Sequence, residues 1–359
     1  MLDQYRVTGL MSGSSLDGVD LAFCEFSGDH DRWNYRIVYA ETIPYPHPIK
    51  SRLENPVHRA DDEIMQLDIL LGEHFARLIN DFHLRHNVVP ELIASHGHTL
   101  LHEPEKGITF QAGHGGIMAD RTGITVINDF RREDVAQGGQ GAPLVPIGDL
   151  LLFGKYEACL NLGGFANISF NNQKGKRIAF DIGPVNLALN QIATLVGQDY
   201  DKDGMIAARG VISRELLQHL NTLEYYRRKP PKSLGKEWFR EVFVPYSNVP
   251  GLSVEDRMAT MVEHIAIQLG SSVSLACAKN ILVTGGGTLN KTLIERFSYH
   301  TGATIHIPSM DLILFKEALI FAFLGLLRYL GKVNCLASVT GGACDLSAGT
   351  IHKPMINPI

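Results

Sequence analysis

RVTGLMSGSSLDGVDLAFCEF, Arg6 to Phe26, is the stretch on which the fold turns. Tyr5 to Leu10 reads as a β-rich run, the small residues from Ser12 to Gly18 as a tight turn, and the residues after it as a second alternating strand, so the whole is a hairpin. A second stretch, ACLNLGGFANISFNN from Ala158 to Asn172, reads the same way around Gly163-Gly164. The first hairpin is followed by another strand candidate, Tyr35 to Thr42. A helix comes next, because Ile64, Leu67, Leu71, Phe75, Leu78 and Phe82 recur at spacings of three and four and trace one face. Strand, strand, strand, helix is therefore the expected order. Two such halves facing each other would set both glycine hairpins on one cleft.

The rest of the chain keeps the same habit. Leu92 to Ala94 runs into Ser-His-Gly, Ile178 to Phe180 into Asp-Ile-Gly-Pro, Asn280 to Thr284 into Gly-Gly-Gly, and Ala303 to Ile307 into Pro308. Met258, Met261, Ile265, Leu269, Val273 and Ala276 mark another helix face. Strands alternating with helices predict an α/β architecture whose ligands bind where glycine-rich turns leave the strand ends. Glycine, 35 of 359 residues, is enriched and clustered at these turns. Lys and Arg number 33 against 38 Asp and Glu, a net charge of −5, which lacks the basic footprint of a nucleic-acid binder. The five scattered cysteines form no C-x-x-C pair. The opening Met-Leu-Asp-Gln-Tyr-Arg lacks the pattern of a signal peptide, and the longest apolar run, Ala318 to Leu327, is too short for a span. A cytoplasmic protein with no membrane partner is expected.

Several motifs carry possible chemistry, each with an ordinary alternative. In GLMSGSSLDGVD the turn amides and hydroxyls suit phosphate oxygens and Asp17 or Asp20 suits a cation; the alternative is a plain Asp-Gly turn. LNLGGFAN and LVTGGGTLN are elements of the same kind. AFDIGPVN sets Asp181 at a strand end before a Gly183-Pro184 turn, as a general base or as a cap of the helix that follows. His96, His98, His102 and His114 cluster in SHGHTLLHEPEKGITFQAGH. With no cysteine and no H-E-x-x-H beside them, substrate hydrogen bonding or cleft lining fits better than a metal site. Arg131 and Arg132 precede the loop AQGGQGAP, and one of them either clamps a substrate carboxylate or hydroxyl or forms a surface ion pair with Glu133 or Asp134. Lys316-Glu317 either caps a buried helix or reaches into the cleft. YDKDGMIAARG and YYRRKPPKSLGKEWF read as a helix entry and a solvated charged loop, without chemistry. No G-x-x-x-x-G-K-[ST], G-x-G-x-x-G or G-x-S-x-G is present, which excludes the P-loop and weakens dinucleotide and hydrolase readings.

Taken in order, GLMSGSSLDGVD, SHGHTLLHEP, DFRREDVAQGGQGAPLVP, LNLGGFANISF, FDIGPVN, YDKDG, LVTGGGTLN, KEALIFAF and SVTGG resemble the anhydro-N-acetylmuramic acid kinases, from about residue 6 to about residue 345. The resemblance implies two related α/β domains of the actin-like ATPase (sugar kinase) fold around a central nucleotide cleft. Residues 1–130 with 337–359 would form one domain and 131–336 the other. It also implies a reaction: ATP and water open the 1,6-anhydro bridge of anhydro-N-acetylmuramic acid while O6 is phosphorylated, in peptidoglycan recycling. Asp181 would be the base that activates water. Gly13, Ser14, Ser15, Leu16, Asp17, Gly18, Val19 and Asp20 would hold the β- and γ-phosphates with Mg²⁺, Asp17 and Asp20 acting directly or through water. Asn161, Gly163, Gly164, Asn167, Gly285, Gly286 and Gly287 would hold the rest of the nucleotide, and Thr99, Arg131, Asn186 and Glu317 the sugar. A homodimer is implied as well.

The chain departs from the family pattern at Ile182, Val185 and Asn190, where Thr, Gly and Asp are usual, with Ser14 for the usual Thr. Ile182 removes a hydroxyl donor beside Asp181, which is expected to raise its pKa, and Val185 disfavours a positive φ. Two rival readings stay open: a sugar kinase in which Asp181 deprotonates a hydroxyl, and a catalytically silent nucleotide or sugar sensor.

Overall fold

The computed structural model describes residues 4–13, 16–29, 32–54 and 61–355. Two compact units emerge: residues 1–152 with 315–359, and residues 153–314. The limits therefore fall beyond 130 and before 336. Helix Val145–Leu152 stays with the first unit because Gly148 lets it lie directly on Ile320. Helix Met310–Tyr329 crosses the other limit and is interrupted there, at Phe315 (φ −113°, ψ 15°).

In the first unit, β1 (Gln4–Ser12), β2 (Val19–Asp29) and β3 (Arg32–Ile43) form an antiparallel meander, and β4 (Leu92–Glu103) and β6 (Thr125–Asn128) extend it in parallel beyond β1. β5 (Ile108–Ala112) pairs antiparallel with β4, and the short strand Thr350–His352 with β6. Alternation along the strands assigns the two faces. Leu10, Val19, Leu21 and Phe23 meet Leu67, Leu71, Phe75, Ile79 and Phe82 of helix Asp61–His86. Phe26, on the other face, meets Phe323 at 5.3 Å between ring centroids. Each fully buried phenylalanine contributes on the order of 1.5–3 kcal/mol. Gly9 is required here by proximity: a Cβ on it would overlap the Ala318 carbonyl oxygen.

The second unit repeats the plan. β7 (Ala158–Leu162), β8 (Phe165–Asn171) and β9 (Arg177–Pro184) are antiparallel, and β10 (Asn280–Thr284) and β11 (Thr304–His306) follow in parallel from β7. Helix Val254–Leu275, capped by the Ser253 side chain, buries Met258, Met261, Ile265, Leu269 and Val273 against Leu160, Ile168, Ile281 and Val283. The strand orders β6-β4-β1-β2-β3 and β11-β10-β7-β8-β9 match, with the same pairing senses. The molecule is thus a pair of related α/β units of the actin-like ATPase (sugar kinase) fold. The two glycine hairpins are the equivalent β1–β2 and β7–β8 connections. Among the described residues no helix is long and apolar enough to cross a membrane.

Two strands run further than their sequence predicts. β4 continues through SHGHT to Glu103, because β5 supplies a partner and Gly97, at φ +72°, absorbs an irregularity that reads in the sequence as a turn. β9 continues to Pro184, so Asp181 lies within the strand. Pro184 is tolerated because β9 is at the sheet edge.

Candidate active site

The first unit contributes the β1–β2 turn. Ser14 and Ser15 lie outside the described residues; around them Gly13 accepts from the Leu16 amide (3.3 Å), and Leu16 stands at φ +60°. Asp17 is exposed. Asp20 is the second residue of β2, and its carboxylate accepts the Thr42 hydroxyl at 2.6 Å. Burial raises the Asp20 carboxyl above the ordinary range, the Thr42 bond opposes this, and the negative charge of Asp17 adds to it. Gly18 admits no side chain, since a Cβ would stand 2.6 Å from the Ile43 carbonyl oxygen. The Ser12 hydroxyl, just before the turn, bonds to the Tyr45 hydroxyl (2.6 Å) and to His98 Nδ1 (2.8 Å).

Arg131 is not a surface ion pair. Its Nη1 donates to the Gly141 carbonyl (2.6 Å), and Nε and Nη2 both donate to His96 Nε2 (3.2 and 2.9 Å). His96 Nδ1 faces the Gly97 carbonyl at 2.9 Å, which assigns its proton to that nitrogen and leaves Nε2 as an acceptor. Burial, with Arg131 adding to it, holds His96 neutral, and burial brings Arg131 itself down to about 10. The adjacent Arg132 takes the ion pair, with Asp129 at 2.9 Å. Thr99 is half-buried, across from Gln111 on β5. Lys316 forms a buried pair with Asp149 (2.8 Å), and Glu317 beside it is open to solvent. Dense surroundings nevertheless raise the Glu317 carboxyl, while Arg131 and Lys316 pull it down. With the helix starting at Met310, neither residue caps it.

The loop holding Arg131 depends on a residue whose part the sequence conceals. Asp134 is fully buried and accepts from the Gly141 amide (2.7 Å) and the Thr340 hydroxyl (2.6 Å). Gly139 and Gly342 leave no room for a Cβ beside its carboxylate, and Gln140 donates its amide to the Thr340 carbonyl (2.9 Å). GGQGAP and SVTGG, far apart in sequence, thus close around one carboxylate.

In the second unit, Gly163 and Gly164 form the two-residue β7–β8 turn, with Asn161 opposite Asn167. The turn carbonyls accept from the amides that open helix Asn186–Ala193: Val185 to Gly164 at 2.8 Å and Asn186 to Gly163 at 3.1 Å. Gly285, at φ +85°, has Asn161 Oδ1 2.7 Å from where a Cβ would be. Asn186 donates to the Leu162 carbonyl (3.1 Å) and lies against Gly286 and Gly287. Asn161, Asn186 and the triple glycine therefore form one group. Asp201 of YDKDG is buried and accepts the Ile206 and Ala207 amides, a turn-fixing role.

Asp181 is not a helix cap, since Val185 occupies that place. Burial raises its carboxyl, and the Leu234 amide, donating to Oδ2 at 2.9 Å, opposes that. Its own amide donates to the Lys232 carbonyl (3.1 Å), and its carbonyl accepts the Tyr225 hydroxyl (2.6 Å). The loop read as solvated charge is therefore wrapped on the edge of β9. Sequence offered no signal for this, because a backbone donor leaves no residue signature. Val185 adopts φ −123°, so glycine is not demanded there; Ile182 is buried and Asn190 exposed. Among the described residues no group of three or more His, Cys, Asp or Glu side chains is arranged to hold a metal ion. His96 and His98 are instead buried hydrogen-bonding groups, His98 lowered to about 4 by burial.

A sequence profile described as anhydro-N-acetylmuramic acid kinase matches residues 5–354. Proteins of that name from Pseudomonas savastanoi pv. phaseolicola and Methylorubrum extorquens are 38% and 33% identical to this chain. The first match covers 81% of this chain and 82% of the relative; the second covers 97% and 99%. A third such protein, from Sulfurimonas denitrificans, is 34% identical, with 96% and 98% covered.

Proposed function

The chain belongs to the anhydro-N-acetylmuramic acid kinase family, and from that premise we propose how its residues divide the reaction. The protein is a phosphotransferase that uses ATP and an amino sugar. Water attacks the anomeric carbon of 1,6-anhydro-N-acetylmuramic acid and gives its proton to Asp181. The C1–O6 bond breaks, and O6 takes the γ-phosphoryl group in line as ADP departs. N-acetylmuramic acid 6-phosphate is the product.

The observation that carries this reading is the Asp181 carboxyl, raised by burial and held through one oxygen by the Leu234 amide. Such a group, once ionised, is placed to take a proton from water, and its raised proton affinity favours the transfer. Gly13 to Asp20 bind the β- and γ-phosphates. Asp17 and Asp20 suit Mg²⁺: burial and mutual repulsion raise Asp20, and a cation offsets both. Bound there, Mg²⁺ would neutralise phosphate charge. Asn161, Gly163, Gly164, Asn167 and Gly285 to Gly287 hold the remaining nucleotide. Asn186, tied to the same group, is assigned to that side. Thr99, Arg131 and Glu317 bind the sugar, with His96 keeping the Arg131 guanidinium in one plane.

Product analysis tests the scheme. Incubation with ATP, Mg²⁺ and the anhydro sugar is expected to give a product heavier by one water and one phosphoryl group. A product heavier by a phosphoryl group alone, its bridge intact, would mean an ordinary hydroxyl kinase, and binding without ADP would mean a silent sensor. The family resemblance supports a cytoplasmic homodimer, and light scattering of the purified protein tests the dimer.

A further inference from the structure

We infer that the segment Tyr225–Leu234 is a strap that keeps Asp181 in position and ionised, and that the Leu234 backbone amide is its working contact. The inference rests on the reading of Asp181 as the base. β9 is an edge strand, so the amide and carbonyl that Asp181 turns away from β8 need partners from outside the sheet. The strap supplies both, through the Lys232 carbonyl (3.1 Å) and the Tyr225 hydroxyl (2.6 Å). With the backbone of Asp181 pinned at two points, its side chain meets the Leu234 amide at 2.9 Å. An N–H bond to a carboxylate favours the charged form, which burial disfavours.

The strap's other groups serve its own shape. The Lys232 ammonium lies 4.5 Å from the Tyr225 ring centroid and donates to the Tyr225 carbonyl at 3.3 Å. Tyr225 is buried and packs against Trp238, 5.3 Å between centroids. The titratable and charged groups around Asp181 are thus Tyr225, Lys232 and, acting on Tyr225, Arg228, which is paired with Glu224. Opposite on β8 stands neutral Asn167, and the helix after β9 offers Asn186 and Asn190, also neutral. Among the described residues no cation forms an ion pair with the Asp181 carboxylate, and the amide carries the stabilisation.

The test is the pH profile of kcat/KM for the anhydro sugar at saturating ATP. Leu234→Pro deletes the N–H and is expected to move the acid limb up by about one pH unit, so that below the limb its rate falls about tenfold relative to the parent. Leu234→Ala keeps the backbone donor and should leave the limb where the parent has it. Tyr225→Phe releases one pin and should shift the limb in the same direction by less. A folded Leu234→Pro protein with an unmoved limb overturns the proposal. Should circular dichroism show that variant unfolded, the Tyr225→Phe profile decides, and an unmoved limb there overturns it equally. Asp181→Asn separates the two levels: retained turnover removes the base reading itself, whereas an inactive Asp181→Asn beside an unmoved Leu234→Pro limb removes only the strap.

Discussion

Asp181→Asn is expected to lower kcat by about two to four orders of magnitude, the usual contribution of a positioned general base, while leaving ATP and sugar binding nearly intact. The amide is close in size to the carboxylate and can still accept the Leu234 N–H, so the strap and β9 should keep their geometry. What it loses is the capacity to take a proton from water. In the parent enzyme activity should rise with pH as Asp181 ionises. Because burial raises that carboxyl, the rise should be centred above the ordinary aspartate range, and in the variant it should vanish. Calorimetry for binding and coupled ADP release for turnover separate the two effects. Turnover within tenfold of the parent would exclude Asp181 as the base.

Asp134→Ala is expected to destabilise the first unit by about 2–6 kcal/mol, because it leaves two buried donors, the Gly141 amide and the Thr340 hydroxyl, without their acceptor at about 1–3 kcal/mol each. The loss should extend beyond stability. Gly141 is also the residue whose carbonyl fixes Arg131 Nη1, so a loosened loop should raise the KM for the sugar more than it lowers kcat. Urea unfolding and steady-state kinetics on the same preparation check both expectations. An unfolding free energy within about 1 kcal/mol of the parent's would mean that the glycine-rich loop holds itself without the carboxylate.

Residues that must be glycine announced much of this architecture in the sequence. The two hairpins were legible because small-residue turns between alternating strands permit few other readings, and their repetition pointed to duplicated units. The strand order was not legible, since pairing of β1 with β4 and of β7 with β10 joins segments whose separation no local pattern encodes. Gly97 misled as a turn because its left-handed backbone serves a turn and a bulge equally. Arg131 was visible as a candidate, but its partners were not: Asp134, the neighbour that looked like an ion-pair partner, is engaged by Thr340 from the far end of the chain. Most hidden was the strap, because Leu234 acts through an amide that any residue except proline would supply.

In the proposed reaction water attacks carbon while the bridge oxygen attacks phosphorus, and turnover in ¹⁸O-labelled water distinguishes the two oxygens. Mass spectrometry and ³¹P NMR of the product should place one labelled oxygen at C1 of N-acetylmuramic acid 6-phosphate and none in the phosphoryl group. Label in the phosphoryl group, or a phosphorylated sugar carrying no label at C1, would mean that water does not attack the anomeric carbon.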